Sequence, residues 1–353
     1  MQMLSFGSSK KLIGVDVGTS SVKLVELEEA KGGYRLKNFG LARLPRETIV
    51  NGVVINAEPL IQAVKGLISS LKINCRDVAF SVSCHPVIIK KIALPLMTED
   101  SLEPVIVSEA EQYIPFDLDE VNIDFQILGV NEDNPEMMDV MLVAAKKAMI
   151  EEYTDAFQHA GLRCRIVDID VFALENMFNL NYLHEENETF ALVDIGASVT
   201  NINILKNGTS IFNRDVFLGG NQITEEIQKE LSVSFEEAEM LKTGEEIEGI
   251  DHGMLDQIIA KTAQSIAREI QRTLEFFTSS TFVEINHLFL SGGASKTSGL
   301  KEMIEEKMNL VVEFIDPFKV IKYDTKSFDP EYMRDVSAVA AVGVGLATRR
   351  IGE

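Results

Sequence analysis

The sequence has no tryptophan and only three cysteines among its 353 residues. The cysteines, Cys75, Cys84 and Cys164, are odd in number and form no CxxC pair. That spacing excludes a disulfide framework and the usual zinc-binding patterns. Unpaired thiols are typical of a reducing compartment, so we expect the protein to work in the cytoplasm.

Basic side chains are also scarce, with 33 lysines and arginines against 55 aspartates and glutamates and a net charge of −22. No run of lysine and arginine interrupts this balance. Duplex nucleic acid and anionic lipid headgroups repel such a surface. We therefore expect neither nucleic-acid binding nor direct adsorption to a membrane.

Long apolar runs are missing as well. The longest uncharged stretch runs from Val336 to Thr348, 13 residues with two glycines, whereas a bilayer-spanning helix needs about 20. The N-terminal residues reach Lys10 and Lys11 with no apolar stretch after them, so no signal peptide is predicted. We expect no membrane insertion.

The sequence does contain a regular alternation of strand and helix patterns. Apolar residues recur with helical spacing in 58–71, 99–113, 148–160, 172–180, 221–231, 235–242, 257–278, 299–308 and 337–350. β-rich runs cover 12–17, 22–27, 34–44, 77–83, 87–94, 121–130, 139–145, 163–168, 190–195, 201–205, 210–216, 284–290 and 311–315. This alternation predicts an α/β protein.

One pattern occurs twice. Gly14–Ser20 aligns with Leu192–Ser198, so that Asp194 follows Asp16 by 178 residues. In both copies a strand ends in Asp, one apolar residue, Gly and then small residues, and a second β-rich run follows. A single such hairpin is most simply a structural turn. Two copies half a chain apart in the same strand context favour a ligand site.

These residue types suit a phosphate. Glycine at Gly18 and Gly196 lets backbone N–H groups approach an anion closely. Carboxylates at Asp16 and Asp194 can hold a hydrated Mg²⁺ through its water molecules. Lys23, on the strand that leaves the first turn, can reach a phosphate as a point charge.

A third glycine turn, Leu288–Ser295, ends an apolar strand in Gly292-Gly293 and can pass beneath a nucleoside. Ser295-Lys296-Thr297 is not a P-loop, because no glycine directly precedes the lysine. The sequence contains no GxGxxG, HExxH or GxSxG motif.

Together these motifs resemble the superfamily of actin, Hsp70 and the sugar kinases. Gly14–Lys23 and Leu192–Thr200 resemble its two phosphate motifs, and Leu288–Ser295 resembles its adenosine motif. Asp168–Leu174 and Ala338–Ala347 are similar to its two connecting motifs. The resemblance implies a duplicated ribonuclease-H-like fold whose two halves enclose a cleft for ATP and Mg²⁺.

The resemblance also implies roles for individual residues. ATP contacts are implied at Asp16, Gly18, Thr19, Ser20, Lys23, Asp194, Gly196, Ala197, Ser198, Gly219, Gly220, Glu239, Lys242, Gly292, Gly293 and Ala294. Glu239 and Lys242 would face the ribose and adenine, or else be solvated helix residues. Asp168 and Asp170 stand at the positions of catalytic carboxylates, and both can equally be strand-end caps.

Within the superfamily, residues 77–160 resemble the inserted subdomain of the cell-division protein FtsA and of the type IV pilus assembly protein PilM. Glu111–Phe116 is similar to the PilM branch, and so is the end of the sequence at Glu353, without the membrane-binding tail of FtsA. The implied function is a cytoplasmic ATP-binding platform at the inner membrane, with at most slow ATP hydrolysis. An FtsA-like filament protein and a sugar-type kinase are the alternatives.

The PilM resemblance implies partners and a domain plan. The platform would hold the N-terminal peptide of a PilN-type partner between the insertion and the first half and would contact other pilus inner-membrane and motor components. Self-association is left open. The predicted units are a first core (10–76, 161–187 and 337–353), an insertion (77–160), a second core (188–220 and 281–336) and a helical adenine-side unit (221–280).

Overall fold

The computed structural model describes residues 11–84, 86–131, 133–183 and 187–351. The strands in this part of the chain are β1 Ile13–Val17, β2 Ser21–Ala30, β3 Gly33–Arg43, β4 Ile49–Val50, β5 Val53–Val54, β6 Asp77–Val82, β7 Val87–Pro95, β8 Val121–Val130, β9 Met137–Lys146, β10 Arg163–Ile169, β11 Thr189–Ile195, β12 Thr200–Lys206, β13 Thr209–Val216, β14 His287–Ser291 and β15 Val311–Phe314.

The described α-helices are α1 Ala57–Ser70, α2 Glu99–Ala110, α3 Lys147–His159, α4 Asp170–Asn181, α5 Gly220–Leu231, α6 Phe235–Lys242, α7 His252–Thr281, α8 Leu300–Met308 and α9 Pro330–Thr348. None of these helices, in the part of the chain that the structure covers, has the length and apolar character needed to cross a membrane.

Two five-stranded sheets have the same topology. The first sheet has the order β10-β6-β1-β2-β3, and the second has the matching order β15-β14-β11-β12-β13. Each consists of three antiparallel strands followed by two parallel ones. The register is also equivalent, because Asp16 pairs with Lys23 in one sheet and Asp194 pairs with Asn201 in the other. The duplication predicted from the sequence repeat is confirmed.

A smaller sheet of order β7-β9-β8 forms a separate module in the first half. Helix α2 covers it, and Leu102 and Ile106 of the helix are buried with Val140 and Leu142 of β9 in a core of their own. This module extends from β7 to β9.

The separate module is therefore narrower than the predicted insertion of 77–160. Strand β6 lies inside the first sheet between β10 and β1, and α3 packs Tyr153 and Phe157 against Phe80 of that sheet. The reason is that β6 is almost wholly buried, as expected for a central parallel strand with both faces covered. The division into four units stays a prediction.

Helices α4 and α9 cross between the two sheets in close contact. A Cβ atom at Gly345 of α9 would lie 1.7 Å from the carbonyl oxygen of Ala173 in α4. On the other side of α9, a Cβ atom at Gly14 of β1 would lie 2.3 Å from the carbonyl oxygen of Gly343. The uncharged stretch noted in the sequence is thus part of a buried connecting helix. Only glycine fits at these two contacts.

Two helices begin earlier than the apolar spacing predicts. The side chain of Asp329 accepts hydrogen bonds from the backbone N–H groups of Glu331 (2.8 Å) and Tyr332 (3.1 Å), so α9 starts at Pro330 instead of residue 337. Asp251 caps α7 in the same way and moves its start to residue 252. The capping side chain, and not the apolar period, thus defines where each of these helices begins.

The helix crossing can be tested by substitution. Gly345→Val should lower the free energy of unfolding by about 3 kcal/mol or more, because the new side chain has to displace the backbone of Ala173. Gly66→Ala in α1 is the matched control, since a Cβ atom there meets nothing within 4 Å; we expect a change within about 1 kcal/mol. Urea unfolding followed by circular dichroism measures both. Equal stability of the two variants would contradict the packing.

Candidate functional site

The two copies of the repeated motif form equivalent tight turns. The backbone N–H of Gly18 donates to the carbonyl oxygen of Ser21 (3.0 Å), and that of Gly196 donates to the carbonyl oxygen of Val199 (2.9 Å). We call Gly18–Ser21 and Gly196–Val199 the twin turns. A Cβ atom at Gly196 would lie 2.8 Å from the Val199 oxygen, so the second turn closes only around glycine.

A carboxylate stands before each of the twin turns. Asp16 is buried, and its Oδ2 lies 3.3 Å from Lys23 Nζ across the β1–β2 pair. Asp194 accepts a hydrogen bond from Ser291 Oγ (2.6 Å) at the end of the neighbouring strand β14. The second sheet has no counterpart of the lysine, because Asn201 occupies the equivalent position and donates to Asp215 Oδ1 (2.6 Å).

A third carboxylate, Asp170, belongs to the same cluster. Burial, together with the charges of Asp16 and Asp194, raises the pKa of Asp170 to about 7. Burial likewise raises the pKa of Asp194 to about 6, with the charge of Asp16 acting in the same direction. The charge of Asp16 thus acts on both Asp170 and Asp194, and the charge of Asp194 acts on Asp170, which places the three carboxylates near one another.

Asp168, two residues earlier, has different surroundings. Its Oδ1 accepts from the backbone N–H of Ile169 (2.8 Å), and its Oδ2 lies 3.5 Å from Arg349 Nη1 at the end of α9. Burial raises the pKa of Asp168, and Arg349 opposes that rise. The two surroundings differ because Asp168 lies within β10 whereas Asp170 begins α4. The two predicted catalytic residues are thus not in the same environment.

The predicted nucleoside residues form a compact polar cluster on α5 and α6. Lys242 Nζ pairs with Glu239 Oε1 and donates to Thr224 Oγ1 (2.8 Å) and to the carbonyl oxygen of Gly220 (3.3 Å). The Thr224 hydroxyl in turn donates to Glu239. The side chains of Glu239 and Lys242 are only 25% and 16% exposed, so they are not freely solvated helix residues.

Backbone contacts join this cluster to the second of the twin turns. The N–H groups of Gly220 and Asn221 donate to the carbonyl oxygens of Gly196 (3.0 Å) and Ala197 (2.7 Å). Asn221 Nδ2 also donates to Ser198 Oγ (3.0 Å). A Cβ atom at Gly219 would lie 2.5 Å from the Gly196 oxygen, which explains the glycine pair at the start of α5.

The third glycine turn, 288–295, also packs beside the second of the twin turns. Gly292 has a φ of +84°, and a Cβ atom there would lie 2.3 Å from the carbonyl oxygen of Ile195. Ala294 approaches Gly220 so closely that a Cβ atom at Gly220 would lie 3.0 Å from its methyl group. The N–H of Gly292 donates to the carbonyl oxygen of Ala338 in α9 (2.8 Å), so the connecting helix positions this turn as well.

The structure thus brings most of the predicted residues together where its two halves meet, a region that we call the cleft. Asp16, Gly18, Lys23, Asp170 and Asp194 lie where the two sheets meet. A second group of predicted residues forms the turn that follows Asp194 or packs beside it, directly or through Gly220: Gly196, Ala197, Ser198, Gly219, Gly220, Glu239, Lys242, Gly292 and Ala294. The predicted Thr19 and Ser20 belong to the first turn, and the predicted Gly293 begins the short helical turn after Gly292.

Three residues of this site were not assigned from the sequence. Asn221, Thr224 and Ser291 each hold a predicted residue by a hydrogen bond. Two of them could have been found from the sequence by their position next to a glycine turn, since Asn221 follows Gly219-Gly220 and Ser291 precedes Gly292. Their hydrogen bonds join residues far apart in the sequence, which motif spacing does not reveal.

A cation also bridges the two halves at the edge of the cleft. Arg46, just after β3, places its guanidinium carbon 4.2 Å from the ring centroid of Phe235, the first residue of α6. Its Nη2 lies 3.6 Å from Glu225 Oε1 on α5. The bridge therefore joins the first half to the two helices that carry the Glu239–Lys242 pair, and each of its contacts is exposed and weak.

Among the described residues, no three His, Cys, Asp or Glu side chains form a metal-binding set. The carboxylates of the cleft instead form a negatively charged site, offset mainly by Lys23. Such a site suits a hydrated Mg²⁺ held through water molecules, which needs only one or two carboxylates from the protein.

The sequence model of the family described as type IV pilus assembly protein PilM matches residues 14–351. The chain belongs to the PilM family. A solved PilM–PilN type IV pilus biogenesis complex is similar, with a TM-score of 0.86 and 27% identity over 96% of this chain and 97% of that chain. The predicted resemblance to PilM is therefore confirmed.

Other similarities confirm the actin-like fold of this PilM-family protein. MreB5 of Spiroplasma citri bound to AMPPNP has a TM-score of 0.52 and 12% identity over 95% of this chain and 94% of that chain. The cell-division protein FtsA of Bacillus subtilis is 22% identical over 96% of this chain and 86% of its own length. The predicted relation to FtsA is thus confirmed at a greater distance than the relation to PilM.

The carboxylate cluster predicts a particular dependence of stability on pH. An ordinary aspartate has a pKa of 3.8, so between about pH 4 and pH 7 the folded protein keeps protons on Asp170 and Asp194 that the unfolded chain has released. Their contribution to stability is therefore fully present below about pH 4 and is lost as the pH rises through 6 and 7.

Asp170→Asn should remove part of this loss. At pH 8 the variant should be more stable than the parent protein by about 1–3 kcal/mol, with little difference at pH 4. Asp256→Asn, on an exposed position of α7, is the control and should leave the profile unchanged. Urea unfolding across this pH range provides the measurement. A less stable Asn variant at pH 8 would contradict the cluster.

Proposed function

We propose that this PilM-family protein binds ATP in the cleft between its two halves and acts as a cytoplasmic platform of the type IV pilus inner-membrane assembly complex. The observation that carries the proposal is the pair of twin turns, each preceded by a carboxylate and both at the ends of equivalent strands. The AMPPNP bound to the structurally similar MreB5 supports a nucleotide in this position.

The twin turns are the proposed phosphate-binding elements. Gly18 and Gly196 permit these tight turns, and Lys23 supplies a point charge beside Asp16. Asp16 and Asp194 are the proposed holders of Mg²⁺ through water, and their crowding with Asp170 fits a site that a divalent cation neutralises. Bound Mg²⁺ would shield the negative charge of the phosphates.

The polar cluster on α5 and α6 is the proposed nucleoside end. Glu239 and Lys242 are held in fixed positions by Thr224, so their outer edges can meet a ribose and a base. The small residues Gly220, Gly292 and Ala294 let this end pack closely against the second of the twin turns.

Asp170 is better placed than Asp168 to orient water near a phosphate. The charges of Asp16 and Asp194 act on Asp170, whereas Asp168 is engaged with Arg349. With a pKa of about 7, Asp170 would accept a proton only from a well-positioned water molecule. We therefore assign Asp170 the role in any slow hydrolysis and assign Asp168 to the packing of α9.

Mg-ATP should raise the melting temperature of the purified protein. At a hundredfold excess over the dissociation constant, binding adds about 3 kcal/mol to the stability of the folded state. Lys23→Ala and Gly196→Val should each abolish most of this shift, because one removes the phosphate-binding charge and the other fills the turn.

Lys261→Ala, on an exposed position of α7, is the matched control and should keep the full shift. The proposal fails if millimolar Mg-ATP leaves the melting temperature of the parent protein unchanged. It also fails if the Lys23 variant responds as strongly as the parent.

A groove beside the cleft is the proposed site for a PilN-type peptide. It has a volume of about 290 Å³ and lies between strand β7 of the small module, residues 169–171 of the first half and residues 213–217 of the second half. Ile88, Val171 and Phe217 supply apolar surface, and Lys90 and Asp215 supply charge. Its position between the small module and the first half agrees with the sequence expectation, and the similar PilM–PilN complex supports a partner of this kind.

The groove has a direct connection to the cleft. Asp215 Oδ2 accepts from the backbone N–H of Cys84 in the first half (3.2 Å), while its Oδ1 accepts from Asn201 in the second half. Asn201 pairs with Asp194 across the β11–β12 ladder. Movement of the halves around a nucleotide would thus alter the width of the groove.

Ile88→Glu should weaken binding of a PilN-type N-terminal peptide by about tenfold or more, because a charge would replace an apolar contact in the groove. Val130→Glu is the control, since Val130 is an exposed apolar residue of the same module but lies outside the groove. Co-flotation with liposomes that display the peptide measures this effect. Strong binding to bare anionic liposomes, or equal loss in both variants, would contradict the proposal.

The kinase alternative lacks a comparable basis in the structure. A sugar kinase needs a polar pocket for its substrate beside the cleft. The small module instead packs an apolar core around Leu102, Ile106 and Leu142, as expected of a docking module. ATP-dependent phosphorylation in a screen of sugars and polyols, with turnover above about 1 s⁻¹, would favour the kinase.

A further inference from the structure

A basic hollow lies on the first half, at the far end of the sheet from the cleft. It has a volume of about 480 Å³ and is bordered by the end of α1, the loop that precedes β6 and the end of α3. Its polar lining consists of Lys65, Ser69, Lys72, Asn74 and Arg76. Strands β6 and β10 begin beside it and run away from it towards Asp170, so the hollow and the cleft are separate sites.

The charge of the hollow is unusual for this protein. The chain has 22 more acidic than basic side chains, yet three cations and no carboxylate line the hollow. The nearest acid along the chain, Asp77, is engaged by Arg163 Nε (2.8 Å) and Arg165 Nε (2.9 Å), and these contacts lower its pKa. Asp77 therefore does not neutralise the cations of the hollow.

Part of this charge has a structural explanation. Arg76 Nη1 donates to the carbonyl oxygens of Ile73 (2.6 Å) and Cys75 (3.1 Å), and so it stabilises the loop after α1. Lys65 and Lys72 have no such function. Both are exposed, and among the described residues neither side chain has an ion pair or a hydrogen bond.

The two free lysines border the hollow from different elements. Lys65 lies on α1, whereas Lys72 follows the end of that helix and has a φ of +52°. An extended chain with several carboxylates can meet cations on more than one element, because successive side chains on one face of a strand are about 7 Å apart.

We propose that the basic hollow is a docking site for an acidic segment of a partner protein, held through carboxylates at Lys65, Lys72 and Arg76. Because the rest of the surface is acidic, such a segment is attracted to this hollow and repelled elsewhere. The site operates independently of the cleft and of the peptide groove beside β7.

The test uses a fluorescein-labelled peptide of 12 residues that carries four glutamates at alternate positions, with fluorescence anisotropy at low and high salt. We expect saturable binding to the parent protein at low salt. The double variant Lys65→Glu/Lys72→Glu should weaken it on the order of tenfold. Lys31→Glu/Lys261→Glu makes the same change in net charge at exposed sites elsewhere and should change the affinity less than twofold.

Further measurements distinguish an acidic peptide from other ligands of the hollow. Inorganic phosphate at millimolar concentration should not displace the peptide, and vesicles of anionic lipid should not float the protein. The melting temperature shift with Mg-ATP should be the same in both double variants, which separates this proposal from nucleotide binding. Absence of saturable peptide binding, equal loss in both double variants, or preference for phosphate or vesicles would each overturn the proposal.

Discussion

The central physical feature of this structure is a concentration of negative charge that the fold brings together where the two halves meet. Asp16, Asp170 and Asp194 converge where the two sheets meet, and the cation Lys23 lies in contact with Asp16. Burial and mutual repulsion raise the pKa values of Asp170 and Asp194. A sequence selected for stability alone would not keep three carboxylates so close together. A bound cation with its phosphate ligand would relieve the repulsion between them.

The connecting helices hold the two halves in the position that creates this cluster. Helix α9 touches the first sheet at Gly14, helix α4 at Gly345 and the third glycine turn through Ala338. Asp168 and Arg349 tie its end to strand β10. The same helix therefore positions both twin turns and the nucleoside end, and the small residues along it have a geometric function.

The sequence repeat predicted the duplicated sheets because a strand, an acid and a glycine turn are local features. The sheet that a strand joins is not a local feature, because an apolar strand has the same sequence pattern in either sheet. For that reason the sequence places β6 in the insertion. Asp168 and Asp170 could not be distinguished either, since the difference depends on where β10 ends and α4 begins. The Arg46–Phe235 bridge and the basic hollow join segments that only the folded chain brings together.

The central claim is that four separate segments form one nucleotide site, and hydrogen exchange tests it most directly. Backbone amide exchange in residues 14–23, 192–199, 219–224 and 288–295 should be compared with and without Mg-ATP. The account predicts that the nucleotide slows exchange in all four segments together, over the same concentration range. Protection of one segment alone, or of none, would contradict a shared site.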